Sequence, residues 1–226
     1  MTLNNKLTSQ NFSDLQVWWS EYSNCYAERT WQNYQALLSE VVLHGAGGPV
    51  VDIGCGYGFL VECARQWGIL SIGLEGAPFA LAEARRRHPQ ADIRSWEAGT
   101  PLGLAPNSVG TFVVNEVVDH ITLDHDQQLF ADIQRALRPG GRVIVKSPSK
   151  DNRFEMDKGH ITFFTPSEFR RFLEAVNLEV VSQPYVPQPL MGTSRLGWFA
   201  MRMIAKFYRL EKWAARIDLV ARKPAV

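Results

Sequence analysis

The chain has 226 residues, 46% of them hydrophobic and 21% charged, with a formal net charge of +1. These values suit one well-buried domain and exclude a disordered or fibrous chain. They also exclude a surface built throughout for nucleic acid, so no DNA partner is expected and an RNA partner is disfavoured.

The opening segment MTLNNKLTSQNF has no basic start followed by an apolar run. No stretch approaches ~18 uninterrupted apolar residues, so neither a secretory signal nor a membrane span is expected. Cys25, Cys55 and Cys63 lack metal-ligand spacing and read as reduced thiols of a cytoplasmic protein.

In chain order, residues 13–43 read as helical, with aromatics interleaved among polar positions, and Gly45 to Pro49 breaks that pattern. Strand and helix then alternate. Pro49–Ile53 is a strand and Phe59–Trp67 a helix; Ile69–Leu74 is a strand, and Phe79–Arg87 a helix stopped by Pro89. Ala91–Trp96 is a strand and Gly99–Ser108 a loop; Thr111–Val114 is a buried strand. Asp124–Leu137 is a helix with Asp124 as its N-cap and Asp126 in its first turn, closed by Arg138-Pro139-Gly140-Gly141 before a strand at Arg142–Lys146. A helix at Pro166–Val176 and a strand at Leu178–Val181 follow. Next come a proline-spaced stretch, an amphipathic helix over about Arg195–Ile217, and a last strand near Leu219–Ala221.

Apolar runs too short for helices, alternating with helices, predict an α/β fold with a mostly parallel sheet covered on both faces. The expected organisation is one domain over 1–226. It comprises a helical cap (1–44), a cofactor-binding core (49–183), a helical insertion or lid (184–217) and the last strand (218–226).

The densest signal is Val50-Val51-Asp52-Ile53-Gly54-Cys55-Gly56-Tyr57-Gly58, a strand entering glycines and then a helix. Small residues let the backbone approach a ligand, and the helix N-terminus offers unpaired N–H groups. Seventeen residues after Gly58, at the end of the next strand, Glu75 is placed to accept both hydroxyls of a ribose. A dinucleotide site would want glycine where Phe59 stands, which disfavours a nicotinamide-linked enzyme.

With glycines at 54, 56 and 58 behind Asp52, the segment resembles the D-x-G-x-G-x-G motif of class I S-adenosylmethionine-dependent methyltransferases. Within that class it resembles the small-molecule type 11 and ubiquinone-pathway O-methyltransferase group. The resemblance extends to about Ser147 through Ile72-Gly73-Leu74-Glu75-Gly76, Trp96-Glu97-Ala98 and Arg138-Pro139-Gly140-Gly141. It departs at Val109-Gly110, where the family often has Phe-Asp. It implies a Rossmann-like, doubly wound, seven-stranded sheet with N-terminal helices and a helical insertion before the last strand. It also implies S-adenosyl-L-methionine as cofactor. Asp52, Gly54, Cys55, Gly56 and Gly58 then form the cofactor loop, and Glu75 with Gly76 holds the ribose. Trp96, Glu97 and Ala98 border the adenine, and Asn115 lies beside the cofactor. Trp96 either stacks on the ring or fills core.

In an open α/β sheet, chemistry sits beyond the carboxyl ends of the strands. Asn115-Glu116-Val117-Val118-Asp119-His120-Ile121 leaves the fourth strand there. If helical, it puts Glu116, Asp119 and His120 on one face. His160 follows on the loop after the fifth strand. An imidazole changes charge near neutral pH, so His120 and His160 are the candidate catalytic residues, assisting proton loss from an acceptor. The pattern also resembles the E-x-x-E-H of ubiquinone-pathway O-methyltransferases and the carboxylate–histidine set that holds a divalent ion in small-RNA 2′-O-methyltransferases. That resemblance makes Glu116, Asp119, His120 and His160 candidate metal ligands, a reading placed second to acid–base work.

Between Arg195 and Ile217 an apolar stripe faces a basic flank of Arg195, Arg202, Lys206, Arg209, Lys212 and Arg216. Such a helix serves either as a lid over the acceptor or as a peripheral membrane contact. The leading expectation is methylation of a hydroxyl or amine on a small aromatic or lipophilic acceptor. The alternatives are a metal-assisted RNA 2′-O-methyltransferase and a non-catalytic scaffold that keeps the cofactor fold.

Overall fold

The computed structural model describes residues 34–150, 160–183, 186–187 and 214–225. Five parallel strands come first in the chain: β1 (Val50–Ile53), β2 (Ser71–Glu75), β3 (Asp92–Ser95), β4 (Val109–Asn115) and β5 (Leu137–Pro148). Helices α1 (residues 34–44), α2 (Phe59–Gln66), α3 (Pro78–Arg87), α4 (Leu123–Ala136) and α5 (Pro166–Ala175) lie between and around them. Then come β6 (Glu179–Ser182), the two-residue β7 (Val186–Pro187) and β8 (Ala214–Arg222). Seven strands run in the order β3-β2-β1-β4-β5-β8-β6, and β7 pairs additionally with β8. β8 is antiparallel to β5, β6 and β7, so the expected Rossmann-like sheet is mostly parallel with one reversed strand.

Alternation along the strands feeds two cores. Val51, Ile53, Phe112, Val114, Val143 and Val145 pack with Leu129, Phe130 and Ile133 of α4 and Phe169 and Leu173 of α5. Val50, Val113, Ile144 and Val220 face Leu37, Leu38 and Val41 of α1 and Leu60 and Ala64 of α2. β1 is buried at all four positions, which is why its sequence is a continuous apolar run interrupted only by Asp52. Phe59, the residue that argued against a dinucleotide loop, opens α2. Its ring stacks on Tyr34 of α1 at 5.7 Å and meets His88 edge-on at 5.3 Å.

Several boundaries differ from the sequence expectation. β8 begins at Ala214, so residues 214–217 are strand rather than the end of a helix, because Ile217 pairs with Ser147 and enters the apolar core. The rest of the expected 195–217 helix lies outside the described residues, as do the aromatic segment before residue 34 and Asp157–Gly159. β5 starts at Leu137, running through the Arg138–Gly141 turn. Thr122, not Asp124, caps α4; its hydroxyl accepts from the His125 N–H at 3.4 Å. The segment after β4 is not helical: Glu116 has φ 56°, and a turn follows in which the His120 N–H donates to the Val117 carbonyl at 2.9 Å. Among the described residues no helix is long and apolar enough to cross a membrane.

The degenerate Val109-Gly110 position has a steric cause. A Cβ on Gly110 would stand 1.6 Å from the Gly47 carbonyl oxygen. That backbone cannot retreat freely. Arg138 donates to the Ala46 carbonyl, and the Ala46 N–H donates to the Thr111 hydroxyl at 3.0 Å. Gly110→Ala is expected to cost about 1–3 kcal/mol through overpacking. At roughly 2–4 °C per kcal/mol for a chain of this size, thermal denaturation should show a loss of several degrees. An unchanged midpoint would refute the steric reading.

Candidate functional site

The parallel pairing of β1 with β2 and β4 brings three loops to the same sheet edge. The first is the glycine loop after β1. Gly54, Gly56 and Gly58 have φ of 65°, 52° and 76°, the left-handed region open to glycine. Two of them also lack room. A Cβ on Gly54 would meet Val117 Cγ2 at 2.6 Å, and one on Gly58 would meet Ile93 Cδ1 at 2.5 Å. Cys55 within this loop is buried against Gly73, whose missing side chain makes space for its sulfur. Burial first, then the charges of Asp52 and Glu75, push its thiol pKa up, which fits an inert thiol.

Glu75 closes β2 and is 5% exposed. Its Oε2 accepts the Gly56 N–H at 2.8 Å and its Oε1 the Ala77 N–H at 2.7 Å. These bonds lash the glycine loop to the second strand and aim the carboxylate between them. Burial raises the Glu75 pKa, opposed by the N–H groups of Ala77, Gly56 and Gly76. Asp52, on the neighbouring strand β1, is pushed up to about 8 by burial and then by the Glu75 charge. Gly76 has no space for a side chain, since the Trp96 carbonyl lies 2.8 Å from its Cβ position. At the end of β3, Trp96 belongs to the main core, and its indole N–H donates to the Thr100 carbonyl at 3.0 Å. Glu97 beside it is exposed, Ala98 half-buried, and Asn115, ending β4, half-buried.

The loop after β4 packs onto this loop through Val117, which occupies the space above Gly54. Two residues on, Asp119 is 1% exposed. Its backbone carbonyl accepts the Ile161 N–H at 2.8 Å, and the Thr162 hydroxyl donates to the Ile121 carbonyl. The segment after β5 is thereby pinned against the turn after β4, and His160 arrives beside His120, their ring centroids 4.8 Å apart. His160 Nε2 lies 3.0 Å and His120 Nε2 3.4 Å from Asp119 Oδ2. Burial opposes ionisation of Asp119, yet the neighbouring His160 and His120 imidazoles hold it below the usual carboxylate range.

Of the four candidate metal ligands the structure brings three together: ligand atoms of Asp119, His120 and His160 lie within 4.8 Å of one another. Glu116 is not in that group. Its carboxylate pairs with Arg216 of β8, a partner that sequence spacing had assigned to a helix flank. A divalent ion fits the three-donor set, two imidazoles and one carboxylate, and there it would polarise an acceptor oxygen.

Two residues of this neighbourhood escaped the sequence reading. Ser147, 1% exposed in β5, donates its hydroxyl to Asp119 Oδ1 at 3.1 Å; its signal was a polar residue two positions beyond Val145 on the core-facing side of the strand. Asp126, read from sequence as an ordinary first-turn acid, is fully buried, and neither carboxylate oxygen has a hydrogen-bond partner among the described residues. Nothing in a first-turn acid distinguishes a helix end facing solvent from one facing the core.

Residues 51–145 match the family described as a methyltransferase domain. Over those residues the chain is similar to a methyltransferase domain. Over 163 residues, 68% of this chain, the domain and its flanks are 29% identical to a Mycolicibacterium smegmatis protein named "probable S-adenosylmethionine-dependent methyltransferase". A trans-aconitate 2-methyltransferase of Methylobacterium nodulans is 37% identical over 119 residues, half of this chain. The chain spans 61% and 42% of the lengths of these two relatives. A solved S-adenosylmethionine-dependent methyltransferase from Archaeoglobus fulgidus shares the fold with a TM-score of 0.67, covering 89% of this chain and all of that one at 15% identity. The cofactor of this domain class, S-adenosyl-L-methionine, fits the left-handed glycine loop and the Glu75 carboxylate lashed to it.

Asp126 gives the site a pH-dependent weakness. Burial first, and then the Asp119 charge, push its pKa up to about 8 from an unfolded value of 3.8. Between those values the folded state holds a proton that the unfolded state does not, so this group's contribution to stability falls as pH rises through that window. Asp126→Asn does not titrate. Its melting midpoint relative to the unsubstituted protein should therefore climb steadily from pH 5 to pH 8, and a difference independent of pH would contradict the buried neutral acid.

Proposed function

We propose that this protein transfers a methyl group from S-adenosyl-L-methionine to a hydroxyl or amine of a small, aromatic or lipophilic acceptor. The observation supporting this reading is one contact, Val117 of the turn that bears His120 packed over Gly54 of the glycine loop. S-adenosyl-L-methionine, when bound, supplies a methyl group already activated for displacement. The chain's work is then to seat donor and acceptor in line and to handle the acceptor's proton. Gly54, Gly56 and Gly58 let the backbone close on the cofactor, with Asp52 and Cys55 packed behind. Glu75 and Gly76 take its ribose, Trp96, Glu97 and Ala98 border the adenine, and Asn115 lies beside the cofactor. His120, a third exposed, is the base that reaches an acceptor; His160, nearly buried, supports it. A small-molecule acceptor agrees with the trans-aconitate methyltransferase among the relatives.

The basic segment around Arg195–Lys212 is assigned as a lid, with a peripheral membrane contact as its other use. A second reading, metal-assisted methylation of an RNA 2′-hydroxyl, rests on the three-donor cluster of Asp119, His120 and His160.

Calorimetry with S-adenosyl-L-methionine and its demethylated product tests the first step, and Glu75→Gln should weaken both at least tenfold. Failure of the unsubstituted protein to bind either would remove the proposal. A panel of phenols, amines, small carboxylic acids and short RNA, assayed with labelled donor, should give turnover on a small molecule. His120→Ala should lower that turnover by roughly 10²–10⁴-fold, the usual worth of a positioned base. Full activity after EDTA dialysis is the expected result; loss restored by magnesium, manganese or zinc would install the metal reading instead.

A further inference from the structure

Four large apolar side chains stand further into solvent than any others described: Leu43 and Trp67 at 74% exposure, Leu70 at 68% and Val42 at 59%. Val42 and Leu43 lie in the last turn of α1, Trp67 ends α2, and Leu70 directly precedes β2. All four therefore sit at the edge where β1 and β2 begin, opposite the edge that carries the glycine loop and Glu75. Hydrogen bonds fix the chain between them. The His44 carbonyl accepts from Arg142 of β5 at 2.7 Å, the Ala46 N–H donates to Thr111 of β4 at 3.0 Å, and the Val50 N–H donates to the Leu70 carbonyl at 2.9 Å. Residues 44–50 thus cross from β5 past β4 and β1 to the start of β2, three strand spacings or roughly 14 Å, with exposed apolar side chains at both ends.

The same crossing is basic. Arg142 and Arg138 donate to the carbonyls of His44 and Ala46, and Lys223 donates to Asn107 Oδ1 and the Arg135 and Leu137 carbonyls. These partners are neutral, and among the described residues none of the three cations meets a carboxylate. Arg65, Arg135 and Arg222 at this edge are by contrast each paired with an acid. Exposed apolar side chains beside uncompensated cations call for an anionic, amphipathic occupant. A two-fold pairing with a second copy would gather the cations of both copies in one interface. The apolar side chains also project from helix ends and a turn, and a Cβ on Gly68, between Trp67 and Leu70, would meet open space. Protruding Trp and Leu beside Arg suit a lipid–water boundary, where the indole rests at headgroup level and the guanidinium groups face phosphate.

We propose that the edge formed by Val42, Leu43, Trp67 and Leu70 with Arg138 and Arg142 docks the protein on a membrane surface bearing anionic phospholipid headgroups. The contact is peripheral, held by shallow insertion of the apolar side chains and by charge. It is separate from the basic segment around Arg195–Lys212. Docked this way, the protein turns its cofactor edge away from the lipid, so docking and uptake of S-adenosyl-L-methionine proceed independently.

The test mixes the full chain with vesicles of phosphatidylcholine alone, or of phosphatidylcholine with phosphatidylserine, and measures co-sedimentation. Binding is expected only with phosphatidylserine present, and it should fall as salt rises and screens the arginines. Leu43→Ser combined with Trp67→Ser should weaken it at least about tenfold, since both side chains lose their burial in the bilayer. Arg142→Gln should weaken it about fivefold, the usual worth of one basic residue at an anionic surface. Calorimetry should find S-adenosyl-L-methionine affinity unchanged in both variants and in the presence of vesicles.

No sedimentation with phosphatidylserine vesicles, or equal binding to phosphatidylcholine alone, overturns the proposal. So does full binding by both variants; loss on neutralising Arg202, Lys206 and Arg209 would then move the contact to that basic segment. A solution dimer that Leu43→Ser with Trp67→Ser dissolves, without vesicle binding, would make the occupant a second copy instead. Should Arg142→Gln fail to fold, the paired serine variant and the salt dependence still decide.

Discussion

Everything at the site depends on β1 lying in parallel register between β2 and β4. Asp52 stands opposite Gly73 on one side and Val113 on the other, so three strands end at the same level. Parallel strands must all release their chains at one edge, and the loops that follow are forced into contact there. The glycine loop, Glu75 and the turn bearing Asp119 and His120 are neighbours for that reason. β5 continues the register beyond β4 and contributes Ser147 and, a loop later, His160.

The same edge gathers four buried carboxyl groups, and the fold treats each differently. Glu75 is given the backbone N–H donors of Gly56 and Ala77, one on each oxygen. Asp52 is buried behind it and pushed toward the neutral form, partly by Glu75 itself. Asp119 receives the Ser147 hydroxyl and stands 3.0 and 3.4 Å from two imidazole nitrogens, whose charges hold it toward the ionised form. Asp126 has no such partner among the described residues and is kept neutral. Burial is common to all four; the donors around each decide which of them bears charge.

Much of the core was legible because its signals are local. A continuous apolar run entering alternating glycines requires a buried strand followed by a left-handed turn, and β1 with its loop is that. Glu75 was found because the distance from one strand end to the next is nearly constant in a strand–helix–strand unit. The helix expected over Glu116–His120 failed for a different reason. Spacing of three and four suits a helix in isolation, but β4 delivers Glu116 into a left-handed turn whose N–H is taken by Lys146, and Arg216 then claims its side chain.

The amino-acid sequence alone therefore determined the alternation of strands and helices from β1 to β6 and the glycine loop with Glu75 at the next strand end, since each rests on residues within one strand–helix unit. Only the tertiary structure decided which of the four proposed ligands meet, that Ser147 stands behind Asp119, and that Asp126 faces the core. Those facts are contacts between chain segments 28 to 100 residues apart. Such contacts are set by sheet register, and no periodicity in a single strand or helix records them.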